Sequence, residues 1–165
     1  MDTDRLRIRL AAIGDAEGIA LESMAEIEHN LHWRWTPQRI RRAIRDRETN
    51  VAVATAGEDM LAFGIMKYRE EVAHLLLFAV RADVRRRGVG SALLGWLEEV
   101  GRAAGIGRFR LEARRDNEPA LAFYRRHGYC ETEAVPGMYE RKVDGVRLEK
   151  VTSQAATRST WRSTL

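Results

Sequence analysis

The pattern of apolar and polar positions divides the chain into short strands and helices. RLRIRL, at residues 5–10, alternates charged and apolar side chains, which predicts a strand with one buried face. Thr36 before Pro37 predicts the N-cap of an arginine-rich helix that runs to about Asp46. Before it, Asp15 is the expected N-cap of a helix whose apolar face comprises Ala16, Ile19, Ala20, Ser23, Met24 and Ile27.

The middle of the chain predicts a hairpin followed by a strand–helix–strand unit. NVAVATA and MLAFGIMKY flank the turn residues at 57–59, which is typical of a β-hairpin. VAHLLLFAV, at residues 72–80, is apolar on both faces and indicates a central strand that is covered on two sides. Helical periodicity follows from Ser91 to Gly105, and GRFRLEA then returns to strand alternation.

The last third of the chain predicts a short helix and two closing strands. EPALAFYRRHG has Pro119 in its first turn and Gly128 as its stop, and YCETEAV and MYERKVDGVRLEKV are strand-like. We therefore expect one domain over residues 1–151 with a mixed sheet. Residues 152–165 show neither period and are expected to form a polar tail.

Composition is that of a globular protein with anionic partners. Of the 165 residues, 45% are apolar and 32% are charged, and the net charge of +4 favours phosphorylated cofactors or nucleic acid. No apolar stretch reaches the roughly 18 residues of a membrane span, so we expect no membrane partner and a cytoplasmic location. The single cysteine, Cys130, excludes an intrachain disulfide and is expected to pack as a small hydrophobe.

The segment Arg85-Arg86-Arg87-Gly88-Val89-Gly90 joins the apolar strand to an amphipathic helix. Glycines let backbone amides approach an anion, and the helix dipole and the arginines add positive charge, which favours a pyrophosphate. The third glycine of a dinucleotide fingerprint is replaced by Leu93, and Ser91-Ala92 stand where a P-loop needs Lys-Ser/Thr. The alternative is a tight turn with solvated arginines.

Arg-x-x-Gly-x-Gly after an apolar strand, then LEARRDN, then AFYRRHGY resemble the successive motifs of the GNAT N-acetyltransferase superfamily. The resemblance implies an α/β fold of the α+β type. It has a mixed, mostly antiparallel central sheet of about six or seven strands and about four flanking helices, with strands four and five splayed. The closing stretch VPGMYERKVDGVRLEK resembles the ribosomal-protein-alanine N-acetyltransferase branch.

The resemblance also implies a site for acetyl-CoA as cosubstrate. The backbone of Phe78, Ala79 and Val80 would pair with the pantetheine arm, and Asn117 and Tyr124 would lie near its reactive end. The pyrophosphate would be held by Arg85, Arg86, Arg87, Gly88, Val89, Gly90 and Ser91. Tyr124 matches the tyrosine that protonates the coenzyme A thiolate, for which a phenol in a desolvated site is suited; its alternative role is core packing.

Glu112 is the candidate general base. It lies on the face of its strand opposite Phe109 and Leu111 and can therefore point into a cleft. From the residues alone, an ion pair with Arg108 or Arg110 explains it equally well. The resemblance favours the base, since the ribosomal-protein-alanine branch has a glutamate here.

The acceptor is expected to contact the junction between the first two helices. This junction supplies Glu26, Glu28, His29, His32, Trp33 and Trp35. Its acidic groups can hold an ammonium, and its tryptophans can form a pocket wall. Tyr139 belongs to the peptide-binding edge implied by the resemblance. The alternative is that the glutamates face water and one tryptophan fills the core. No metal is expected, and His74 and His127 receive no role.

Together these features predict an N-acetyltransferase acting on a primary amine. An α-amine has a pKa of about 7.8 and a lysine side chain one of about 10.4, so a larger fraction of the α-amine is unprotonated at neutral pH. This favours a peptide N-terminus as the acceptor. The open alternatives are a small-molecule amine or a lysine as acceptor, an acetyl-CoA sensor, and a basic nucleic-acid-binding module. The basic runs lack aromatic interleaving, so nucleic acid is not expected as a partner. A monomer or a homodimer is expected.

Overall fold

The structure is a computed structural model that describes residues 5–28, 31–32 and 34–152. These residues contain four α-helices and seven strands. Their order is β1 (Leu6–Leu10), α1 (Ala16–Glu26), α2 (Pro37–Arg45), β2 (Thr49–Ala56), β3 (Asp59–Arg69), β4 (Val72–Val80), α3 (Val89–Ala103), β5 (Arg108–Arg114), α4 (Glu118–Arg126), β6 (Cys130–Tyr139) and β7 (Val143–Val151). The predicted tail lies outside the described residues after Thr152, and the domain limits stay a prediction.

The strands form a seven-stranded mixed sheet in the order β1-β2-β3-β4-β5-β7-β6. The ladders β1–β2, β2–β3, β5–β7 and β6–β7 are antiparallel, and the ladder between β4 and β5 is parallel. That ladder pairs Val72–Leu75 with Arg108–Leu111, and both strands continue beyond it. The predicted fold class, a mixed and mostly antiparallel sheet with four helices, is therefore confirmed.

Two compact units share this chain. Of the described residues, one unit contains those up to Lys67 together with Leu76–Glu99, and the other contains Tyr68–Leu75 and residues 100–152. Strands β3 and β4 and helix α3 contribute residues to both units. Each unit has its own set of buried apolar side chains.

In the first unit, α1 and α2 pack on one face of β2, β3 and β4. The shared core consists of Ala16, Ile19, Ala20, Ile40, Val51, Val53, Phe63, Ile65, Leu77 and Ala79. Burial of each large side chain in such a core stabilises the fold by about 1.5–3 kcal/mol. Gly64, between Phe63 and Ile65, faces the opposite side, where side chains of Leu97 and Phe78 lie close to it.

In the second unit, the buried side chains come from β5, α4 and β7. Phe109, Leu111, Leu121, Val146 and Leu148 are nearly inaccessible to solvent. Alternation along β5 exposes Arg108 and Arg110 and half-buries Glu112. The strand therefore presents Glu112 on the face opposite its apolar residues, as its sequence predicts.

Capping residues explain where α2 and α4 begin. The Thr36 hydroxyl accepts a hydrogen bond from the Arg39 amide at 3.3 Å, and the Asn117 side chain accepts from the Ala120 amide at 3.3 Å. Gly105 and Gly128 follow α3 and α4 in left-handed conformations, with φ of 86° and 90°. Among the described residues, no helix is both long and apolar enough to cross a bilayer.

Three side-chain placements differ from expectation. Asp15 is the N-cap residue of α1, but its carboxylate accepts from the Ala12 amide at 2.7 Å and pairs with Arg9 instead of capping α1. Cys130 is exposed because it begins β6, which has only one neighbouring strand. Met24 lies on the predicted apolar face of α1 yet is 41% exposed.

The burial of β4 also differs from its prediction. Ala73, Leu75, Leu77 and Ala79 are buried, whereas His74 and the other residues of the second face are only half-buried. An apolar run does not encode what covers each of its faces, so periodicity did not reveal this asymmetry. One face of β4 is consequently open enough to carry a polar side chain.

Candidate active site

The segment between β4 and α3 has the geometry of an anion-binding loop. Arg86 and Gly88 have left-handed backbones with φ of 64° and 81°, and α3 begins at Val89. This conformation is free for glycine but costs about 1–2 kcal/mol for a residue with a Cβ. Val89 and Gly90 are buried, while residues 85–88 are exposed. An anchored helix thus presents its first backbone amides beside three exposed arginines, as an anion requires.

The guanidinium of Arg85 has partners within its own unit. Its Nε donates to the Val80 carbonyl at 3.1 Å, and a terminal nitrogen pairs with the Glu26 carboxylate. A residue predicted to bind cofactor therefore contacts one predicted to bind the acceptor amine. Because Glu26 offsets the charge of Arg85, Arg86 and Arg87 supply more of the positive charge that reaches an anion at this loop.

The end of β4 carries the three residues predicted to meet the pantetheine arm. The Ala79 side chain belongs to the core of the first unit, and Phe78 is half-buried beside Gly64. The Val80 carbonyl already accepts the Arg85 Nε–H. If an extended group such as the pantetheine arm pairs with this backbone, the Val80 carbonyl has only one lone pair left to accept its hydrogen bond.

Glu112 forms a compact charged cluster with Arg110 of its own strand and with residues of two other strands. Its Oε2 lies 2.5 Å from His74 Nε2, and its Oε1 lies 3.8 Å from Arg147 Nε. Burial acts to raise the pKa of the Glu112 carboxyl, but the hydrogen bond and charge of His74, with Arg110 and Arg147, outweigh it. The pKa is therefore below its ordinary value, and Glu112 is a half-buried carboxylate that is ionised at neutral pH.

Tyr124 and Tyr139 are the two phenols of this unit that the sequence singled out. Tyr124 is 7% exposed on α4, and burial raises its pKa, with a further contribution from Tyr139. Burial and the charge of Glu112 raise the pKa of Tyr139 to about 12. Tyr139 thus lies within electrostatic reach of both Tyr124 and Glu112, and both phenols keep their protons at neutral pH.

Asn117 and the helix junction have clear structural roles. Asn117 is the exposed N-cap of α4, the helix that carries Tyr124. Trp35 packs against the core of the first unit, and the Arg39 guanidinium lies 3.9 Å from the centre of its ring. His29 and Trp33, predicted for the acceptor site, lie outside the described residues. The roles assigned to all these residues in catalysis or binding stay predictions.

His74 is the residue that sequence reasoning missed. It received no role, yet it makes the shortest contact of Glu112, whereas the expected alternative partner Arg110 acts through charge alone and Arg108 is not among the causes of its pKa shift. One signal was present, since His74 is the only polar residue within VAHLLLFAV. Its significance depends on the parallel register of β4 and β5, which no sequence pattern specifies.

No grouping of three or more His, Cys, Asp or Glu side chains suited to a metal occurs among the residues that the structure describes. The first unit offers an anion loop, and the second unit offers a half-buried carboxylate and a buried phenol. A carboxylate can accept the proton of an amine, and a neutral phenol can donate one to a leaving group. These are the requirements of acyl transfer to an amine.

Comparison with known proteins places this arrangement in a family. The chain belongs to the Acetyltransferase (GNAT) family, whose model matches residues 18–129. It is therefore an acyltransferase. The matched segment contains the glycine loop, Glu112 and Tyr124.

Individual relatives agree with this assignment. The chain is 30% identical over 120 residues to the [ribosomal protein bS18]-alanine N-acetyltransferase of Escherichia coli strain K12, covering 72% of this chain and 80% of the relative. The solved structure of Ard1 from Thermoplasma volcanium superposes with a TM-score of 0.78 at 26% identity, covering 90% and 98% of the two chains. PaiA N-acetyltransferase from Thermoplasma acidophilum, solved with coenzyme A, has a TM-score of 0.73 at 18% identity, covers 88% of this chain and 98% of its own, and shows the shared fold.

Proposed function

We propose that this acetyltransferase moves the acetyl group of acetyl-CoA directly to a primary amine, and that its acceptor is the α-amine of a protein or peptide N-terminus. The observation that carries the proposal is the ionised, half-buried Glu112 in the same unit as the buried Tyr124, with Tyr139 influencing both. A base and an acid of these types are what direct aminolysis of a thioester needs.

The reaction combines one acyl transfer with the loss of two protons from the acceptor nitrogen and the gain of one proton by the sulfur. Glu112 takes a proton from the acceptor ammonium, and the free amine attacks the thioester carbonyl to form a C–N bond. The tetrahedral intermediate then breaks its C–S bond and releases the coenzyme A thiolate. Tyr124 donates a hydrogen bond to the departing sulfur and supplies its proton. The nitrogen carries a positive charge after the attack and loses its second proton to solvent as the C–S bond breaks. The Tyr124 phenolate regains a proton from solvent.

The burial of Tyr124 suits this role. Its raised pKa keeps the phenol neutral, so it is a donor throughout the physiological pH range. Burial also raises the pKa of a thiol in the same surroundings, because charged forms lose solvation. The pKa of the buried phenol is therefore closer to that of a buried thiol than to that of a thiol in water. This smaller difference favours proton transfer from Tyr124 to sulfur.

For acetyl-CoA, we propose that the pyrophosphate binds the backbone of residues 86–91 with Arg86 and Arg87. The left-handed Arg86 and Gly88 and the exposed start of α3 support this assignment. Family membership supports acetyl-CoA as the acyl donor. Arg85 and Asn117 act in this proposal mainly by fixing the loop and the start of α4, given their contacts with Val80, Glu26 and Ala120.

For the acceptor, two lines support an α-amine. A single carboxylate deprotonates an ammonium of pKa about 7.8 more readily than a lysine ammonium of pKa about 10.4. The Escherichia coli relative is named for the alanine of ribosomal protein bS18. Tyr139, half-buried near Glu112, is the described residue best placed to contact such a peptide.

The test is thiol release from acetyl-CoA with alanine- and serine-starting peptides, peptides blocked at the α-amine, and small amines. We expect turnover on free α-amines, falling by about 10²–10⁴ in Glu112→Gln and in Tyr124→Phe. Glu149→Gln and Tyr68→Phe are matched controls on neighbouring strands and should retain activity. Turnover only on lysine or small amines would reject the proposed acceptor, and coenzyme A binding without turnover on any amine would indicate a sensor.

A further inference from the structure

We infer that His74 is a positioning residue that holds the Glu112 carboxylate in the orientation for receiving the acceptor's proton on Oε1. This inference rests on the proposed function, in which Glu112 is the base. It deepens that function by assigning a role to a residue on β4 that is remote from the sequence motifs.

The sheet register places the two side chains on one face. His74 is paired with Arg110 in the parallel ladder, and Glu112 lies two residues beyond Arg110 on β5. Residues two apart on a strand share a face, so His74 and Glu112 are diagonal neighbours. The same face of β4 is only half-buried, which leaves room for two polar side chains.

The contact itself requires a shared proton. His74 Nε2 and Glu112 Oε2 are 2.5 Å apart, a distance at which two unprotonated atoms would repel each other. An ionised carboxylate only accepts hydrogen bonds, so the proton is assigned to Nε2 of His74. Oε2 is then occupied, and Oε1 is left to accept a further proton.

The remaining charged groups around Glu112 cannot replace His74. Arg147 of β7 lies 3.8 Å from Oε1 and also pairs with Glu133, so its guanidinium is shared between two carboxylates. Arg110 of β5 contributes only charge, and Tyr139 of β6 is a neutral phenol. His74 is therefore the group that sets the direction of the carboxylate and most strongly opposes the effect of burial on it.

Removal of His74 has a predictable effect on the pH dependence. His74 favours the ionised carboxylate, so its loss raises the pKa of Glu112, and burial then acts with less opposition. A general base works in its ionised form, so the acid limb of kcat must move to higher pH. A charge-assisted hydrogen bond of ordinary strength corresponds to a shift of about one pH unit.

The experiment compares wild type, His74→Phe and His74→Gln at saturating acetyl-CoA and alanine-starting peptide from about pH 3.5 to 8.5, so that the acid limb of the wild type lies within the range. We expect the acid limb of kcat to rise by about one pH unit in His74→Phe, with KM nearly unchanged. His74→Gln keeps an N–H donor in place of the imidazole, so its limb should lie between the other two. Limbs that coincide in all three proteins would overturn the inference, as would a loss in His74→Phe that is uniform across pH.

A measurement on the wild-type protein keeps the inference testable if His74→Phe does not fold. Long-range proton–nitrogen NMR at neutral pH should show His74 protonated on Nε2, and Glu112→Gln should change its nitrogen shifts. An Nδ1–H tautomer with bare Nε2 in wild type would contradict the inference. Full kcat in Glu112→Gln would show that Glu112 is not the base and would overturn the proposed function. If Glu112→Gln is inactive but the acid limb of kcat does not move in His74→Phe, only the role of His74 is overturned.

Discussion

At the scale of single residues, Glu28 shows how one buried carboxylate organises a loop. It is 6% exposed and accepts hydrogen bonds from the Ser23 hydroxyl at 3.0 Å and from the Arg34 and Trp35 amides at 2.8 and 3.2 Å. It therefore ties the last turn of α1 to the residues just before α2. One expectation from the sequence was that the glutamates of this junction face water, and for Glu28 this was wrong.

Glu28→Ala should destabilise the protein by about 2–4 kcal/mol, because it leaves two backbone amides and a hydroxyl without their charged acceptor. Urea denaturation measures this change. Glu28→Gln keeps one acceptor oxygen and should lose less. Glu58→Ala, at an exposed turn, is the control and should stay within about 0.5 kcal/mol of wild type. A loss in Glu28→Ala no larger than in this control would show that the amides find other partners.

At the scale of elements, the contact between β3 and α3 depends on a missing side chain. A Cβ on Gly64 would lie 2.8 Å from Leu97 Cδ1 and 3.1 Å from Phe78 Cδ2. Leu97 is fully buried, and side chains in a close-packed interior move only at a cost. The close approach of helix to strand, and the placement of Phe78, therefore require glycine at this position.

Gly64→Ala should lower the free energy of unfolding by about 1–3 kcal/mol through overpacking. Gly95→Ala is the matched control on α3, where an added Cβ meets nothing within 4 Å, and it should raise stability by up to about 1 kcal/mol. Thermal and chemical denaturation of both variants provide the comparison. Equal stability of Gly64→Ala and wild type would mean that Leu97 and Phe78 rearrange without cost.

At the scale of the whole molecule, acidic groups with lowered pKa values connect stability to pH. The hydrogen bond from Arg9 lowers the pKa of Asp15, opposed by burial, and the cluster around Glu112 lowers that of Glu112. Groups whose folded pKa is depressed stabilise the fold above their unfolded pKa. That contribution is lost as pH falls through the folded pKa.

The free energy of unfolding should therefore be nearly constant from neutral pH down to about pH 4.5 and should fall below it. Urea titrations at successive pH values measure this profile. Asp15→Asn should flatten the acid slope, because one of the linked protons is removed. A slope identical to wild type in this variant would show that the Arg9 pair does not contribute to acid sensitivity.

The sequence by itself determined the elements and the motif residues. The cap at Thr36, Pro119 in the first turn of α4, the stops at Gly105 and Gly128 and the two hydrophobic periods are local signals, so most helices and strands could be predicted from neighbouring residues. The fold class followed from the resemblance of the motifs to the GNAT superfamily. The glycine loop, Glu112 and Tyr124 could be found from the sequence for the same reason, because each lies in a contiguous motif. Their catalytic and binding roles stay predictions.

Only the tertiary structure decided which side chains meet. His74 and Glu112 are 38 residues apart in the chain and Arg85 and Glu26 are 59 apart, so strand register and helix packing bring them together. The same holds for the half-open face of β4 and the exposure of Cys130, which depend on what covers a strand and on which strand is at the edge. Local patterns report the preference of a segment for helix or strand, whereas partners distant in sequence are chosen by the packing of the whole chain.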